Sequence, residues 1–165
     1  VTALLGIDLG ERRIGVALAD APDVGARPLT TLTRGRSIDA DVAALALLID
    51  RHGVSVLVVG LPIDAAGHEG QQALATRAWV EAISHRLGDR VAIVLRDERL
   101  TSHVAESRLG PISRGRSGGP PSKTQRDAYR ARVDREAAAI ILQDELDSRR
   151  ATGRAASRAT METTP

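Results

Sequence analysis

Two short apolar runs constrain this chain more than any other feature. Ser55-Val-Leu-Val-Val59 and Val91-Ala-Ile-Val-Leu95 lack polar alternation and are too short for helices. Such runs mark strands buried on both faces. A helical pattern over Asp39 to Arg51, with Val42, Leu45, Leu48 and Ile49 on one side, precedes the first run. A second amphipathic stretch, Gln71 to Leu87, separates the two. Alternation of buried strands with helices implies parallel neighbours covered by helices.

The N-terminal third reads differently. Gly6 to Asp20 forms a hairpin that turns at Gly10-Glu11-Arg12, and Arg27 to Thr33 forms a third, β-branched strand beside a proline. Thr101 or Ser102 caps a short helix ending at Leu109, and Asp127 to Asp147 forms the last helix. The expected architecture is therefore α/β. It is a mixed five-stranded sheet, with three leading antiparallel strands, then alternating helices and parallel strands, and helices on both faces. Residues 1–148 form one domain, joined to a disordered Arg/Ala/Thr-rich tail over 149–165. Gly110 to Lys123 reads as a long flexible loop.

With 165 residues, the chain can bury a sizeable core. The absence of Cys excludes disulfides and thiolate metal sites. No run reaches the roughly 18 apolar residues of a membrane span, and no secretory signal precedes the first strand. A cytoplasmic protein without a membrane partner is expected, with a few residues missing ahead of Val1. Lys123 is the only lysine; arginine supplies the other cations. Eight cations from Arg108 to Arg135, Arg114, Arg116 and Lys123 among them, face only Asp127 and Asp134, an excess suited to polyanion binding. Trp79 belongs to a helix-packing pattern, whereas Tyr129 lies in the basic segment where it can stack on a base.

Acids interrupt the apolar elements at a few places. Asp8 stands in the first strand, either as a solvated edge residue or as a ligand platform. Asp97 and Glu98 end the last buried strand, where open α/β sheets place ligands, and Asp134 lies on the last helix. Each alone has an ordinary structural explanation. Together, beside a basic segment and without Cys or clustered His, they suit a hard cation such as Mg2+ or Mn2+ and phosphodiester chemistry. His52, His68, His85 and His103 lack mutual ligand spacing, Gly60 to Gly70 lacks a P-loop ending, and Ser102 has no placed triad partners.

These segments resemble the YqgF/RuvX-type nucleases of the RNase H-like superfamily. The likeness rests on Gly6-Ile-Asp-Leu-Gly10 with Arg13-Ile-Gly-Val16, Val58-Val-Gly-Leu-Pro62 with Gly67, Asp97-Glu-Arg-Leu-Thr-Ser102, and Val133-Asp134 with Ala137-Ala138. They occur in family order across Ala3 to Leu146. The resemblance implies a metal-dependent hydrolase in which Asp8, Glu98 and Asp134 are catalytic and bind Mg2+ or Mn2+, with Asp97 a neighbour. It implies that Arg13 and Arg99 support the site or contact phosphate, beside Arg114, Arg116 and Lys123 as nucleic-acid contacts. The implied substrate is the 5′ end of precursor 16S rRNA, with ribosomal precursor particles as partners; the alternative is a four-way DNA junction. A monomer suits end trimming and a homodimer suits symmetric cutting. Gly110 to Arg132 is longer and more basic than the family pattern. The hairpin also resembles that of actin-like kinases and chaperone ATPases, and a non-catalytic nucleic-acid-binding module is a third reading.

Overall fold

The computed structural model describes residues 2–98, 101–113 and 118–162, with side chains as far as Arg154. Strands β1 (Ala3–Leu9), β2 (Arg13–Ala19) and β3 (Arg27–Thr33) come first. They are followed by α1 (Ile38–His52), β4 (Val54–Pro62), α2 (Gln71–Leu87), β5 (Ala92–Glu98), α3 (Thr101–Leu109) and α4 (Lys123–Glu162). The strands form one sheet in the order β3-β2-β1-β4-β5. β2 pairs antiparallel with β1 and β3, whereas β1–β4 and β4–β5 are parallel. This is the mixed five-stranded α/β sheet expected from the sequence.

Strand alternation sorts β1 between two cores. Leu5, Ile7 and Leu9 pack with Leu45, Ile49, Trp79 and Ile83 of α1 and α2. Leu4 faces the other way, toward Ala138, Ile141, Leu142 and Leu146 of α4. Asp8 shares the parity of Leu4, so its carboxylate points to the α4 side. Helices therefore cover both faces.

α4 lies close against the sheet because glycines meet it there. A Cβ on Gly6 would stand 2.4 Å from the Ala138 carbonyl oxygen, and one on Gly15 would stand 2.0 Å from that of Asp134. Glycine inside a strand commonly marks such an approach. Farther out, Thr31 Oγ1 donates to the Ala131 carbonyl at 2.5 Å, and the Ala26 amide donates to Gln143 Oε1 at 3.0 Å. A buried acid, Asp41, fixes the opposite layer. It accepts from the Gly35 amide at 2.7 Å and Trp79 Nε1 at 3.0 Å, and it pairs with Arg34.

Several expectations change. β5, expected to be buried on both faces, is an edge strand on which Ala92 is exposed and Ile93, Val94 and Leu95 are only half-buried. α4 starts at Lys123, inside the expected loop, because Ser122 and Gln125 form a reciprocal cap: Ser122 N donates to Gln125 Oε1 at 2.8 Å and Gln125 N to Ser122 Oγ at 3.2 Å. The expected disordered tail continues α4 as far as Glu162. Its alanines and arginines favour helix, and Arg149 pairs with Glu145 at 2.7 Å one turn back. Among the described side chains, Leu146 is the last buried apolar one of the helix. Among the described residues no helix is long and apolar enough to cross a membrane.

Candidate active site

The parallel strands β1, β4 and β5 end at one edge of the sheet, and the acids gather there. Asp8 is next to last in β1, opposite Gly15 of β2. Glu98 closes β5, paired with Pro62. A Cβ on Gly60 would stand 2.6 Å from Glu98 Oε2 and 2.6 Å from Ile141 Cδ1. The Glu98 carboxylate thus occupies space that Gly60 leaves open, under α4 and one strand from β1. Asp134 reaches the same region from above, since its backbone rests on Gly15.

Electrostatics records this gathering. The Asp8 carboxyl is pushed from its ordinary 3.8 up to about 8, first by burial, then by the charge of Glu98, then by that of Asp134. Burial also raises Glu98, against a lowering hydrogen bond from the Thr101 side chain. Thr101, read from the sequence only as a helix cap, is itself buried and orients Glu98. Its position three residues after Glu98, an acid at the end of an apolar run read as a buried strand, was the available signal.

The sheet separates Asp97 from this group. Neighbouring strand residues point to opposite faces, and the charge of Asp97 is felt by Arg77 of α2. Arg77 is also bound to Glu69, with Nε donating to Oε2 at 2.7 Å.

Arg13 Nε donates to Asp134 Oδ2 at 2.5 Å, so this cation is built into the site. Lys123 is exposed at the start of α4. Arg99, Arg114 and Arg116 lie outside the described residues. His68 pairs with Asp64 in the loop after β4, and His103 is exposed on α3. Tyr129 donates from its hydroxyl to the Gly110 carbonyl at 2.8 Å, which ties the α3–α4 connection to α4.

Among the described residues, no three His, Cys, Asp or Glu side chains close into a ready-made metal cage. Asp134 is turned to Arg13 instead. The chemistry of the donors still fits a hard divalent cation: they are carboxylates, there is no thiolate, and their mutual repulsion is relieved by positive charge.

Comparison with known proteins follows the same lines. The family described as "RuvX: Holliday junction resolvase" matches residues 2–148. A protein of Anaeromyxobacter sp. (strain Fw109-5), named "Putative pre-16S rRNA nuclease", is 44% identical over 147 residues, covering 89% of this chain and 98% of its own. A relative of the same name in Chloroflexus aggregans (strain MD-66 / DSM 9485) is 41% identical over 147 residues, covering 89% and 94%. Among solved structures, T. thermophilus RuvC in complex with Holliday junction substrate has the same fold. Its TM-score is 0.53 at 14% identity, covering 92% of this chain and 98% of that one.

Proposed function

This chain belongs to the RuvX family and by that kinship is a hydrolytic nuclease, and we propose that Asp8, Glu98 and Asp134 are its catalytic acids. In this reading they hold Mg2+ or Mn2+ against a phosphodiester of structured nucleic acid. The observation that carries it is the position of Asp8: a carboxyl in the central strand, raised to about 8 by burial and by these two other acids. An isolated burial of that kind is costly, and a bound cation relieves it.

When bound, the metal supplies a Lewis acid and an activated water for attack on phosphorus. The protein's own groups set the geometry. β1 fixes Asp8 between its two partners. Thr101 holds the Glu98 carboxylate by a hydrogen bond. Arg13 holds Asp134 and is placed to meet the negative charge of an incoming phosphate. Arg99, Arg114, Arg116 and Lys123 supply further phosphate contacts.

The substrate is the 5′ end of precursor 16S rRNA, in keeping with the names of the relatives. The family description favours a second reading, a four-way DNA junction. Direct competition separates them: the protein is given both nucleic acids with Mg2+ or Mn2+, and the products are mapped. Cleavage of the RNA leader supports the first reading, and cleavage of the junction supports the second. No cleavage of either contradicts both.

A further inference from the structure

We propose that the cleft between the β1–β2 turn and the start of α4 carries the substrate backbone past the acids. Arg12 and Arg130 grip a phosphate beside the scissile one. This rests on the nuclease reading above and adds the path of the strand.

The cleft has a volume of about 490 Å3 and is lined by Glu11, Arg12, Arg13, Asp127 and Arg130. Arg13 belongs to two places at once, because the guanidinium that walls the cleft also holds Asp134. The cleft therefore adjoins the acid centre. Helical geometry extends the relation. Arg130 lies one turn before Asp134 on the same face, about 6 Å along the axis. Lys123 lies on that stripe too, about 16 Å from Asp134. A nucleic-acid strand advances about 3.4 Å per nucleotide. Arg130 thus falls within about two nucleotides of the acids, and Lys123 within about five.

What sets Arg12 and Arg130 apart is the cleft they share with Arg13; absence of an ion pair among the described residues they have in common with Arg36, Arg51, Arg132 and Arg135. Arg27, Arg86 and Arg90, on other parts of the surface, are matched with Asp20, Asp39 and Asp50. Arg12 and Arg130 are exposed and have no carboxylate partner among the described residues, although Glu11 and Asp127 line the same space. Arg13 is already matched by Asp134, so Arg12 and Arg130 against Glu11 and Asp127 leave the cleft close to neutral. Its selectivity comes from guanidinium hydrogen bonds to phosphate oxygens rather than from a strong field.

Binding is measured in EDTA, where no cleavage occurs, on a fluorescein-labelled four-way DNA junction and on an RNA hairpin with a 5′ leader. Single methylphosphonates are walked along the strand. Relative to wild type, Arg12→Gln/Arg130→Gln is expected to bind about tenfold more weakly and to lower the salt slope by about 0.7–0.9, the share of one phosphate. One methylphosphonate position should weaken wild type severalfold and leave the double variant unaffected. Arg130→Lys should keep the salt slope without regaining full affinity, and Arg51→Gln on α1 should match wild type. An unchanged slope in the double variant, or the same methylphosphonate profile as wild type, overturns the proposal. Addition of Mg2+ to wild type tests the nuclease reading separately. Failure to cut either probe sinks that reading while the contacts measured in EDTA stand.

Discussion

Replacing Asp8 by Asn should stabilise the cation-free protein, and more so as pH rises. The Asp8 carboxyl titrates at about 8 in the fold against an ordinary 3.8. Between those values the folded chain holds a proton that the unfolded chain has lost. Stability therefore falls with rising pH, by at most about 1.4 kcal/mol per pH unit. From about pH 5 to about pH 8 the limit is about 4 kcal/mol. Asn at this position has no proton to lose, which leaves only the smaller contribution of Glu98, of the same sign. Urea unfolding followed by the fluorescence of Trp79, the single tryptophan, measures both proteins across this range in EDTA. Excess Mg2+ should then restore wild type at the alkaline end, by about 2.7 kcal/mol at a hundredfold excess over Kd, and should do little for Asp8→Asn. Parallel pH profiles for the two proteins, or equal stabilisation of both by Mg2+, would refute the reasoning.

Glu98→Gln and Asp134→Asn should each abolish cleavage in single-turnover assays while nucleic-acid binding is kept, and Asp97→Asn, on the opposite face, should cut at close to the wild-type rate. Gly15→Ala drives a methyl into the Asp134 carbonyl. It should cost about 1–3 kcal/mol in a urea titration and also lose cleavage, because α4 and Asp134 must move together. Asp41→Asn weakens the buried contacts to Trp79 and Arg34. It should lower stability by about 1–3 kcal/mol and leave the cleavage rate of the folded protein unchanged, which a midpoint measurement and a rate on the same sample would check.

Much of the architecture is written in local patterns. The unbroken apolar runs around Val56 to Val59 and Ile93 to Leu95 identify the parallel strands, and the Asp8 hairpin identifies the antiparallel ones. α2 has the expected bounds because its apolar period and its flanking glycines agree. What escaped depends on contacts distant in sequence. Nothing near Gly15 says that the backbone of Asp134 rests on it, although a glycine within a strand is a hint of close approach. Asp41 looks like a first-turn helix acid, and its burial against Trp79 appears only when α1 and α2 meet. The Ser122–Gln125 cap was readable from its spacing; two prolines and the neighbouring glycines outweighed it. The nearness of Asp8, Glu98 and Asp134 follows from sheet order and strand parity, which the sequence suggests and only the fold makes geometric.

Cleavage of a precursor 16S rRNA 5′ leader by wild type and Asp8→Asn, with and without Mg2+ or Mn2+, tests the central claim most directly. The account predicts cation-dependent cutting by wild type and none by Asp8→Asn, with both proteins still binding the RNA. Cutting in EDTA, or equal rates for the two proteins, would contradict it.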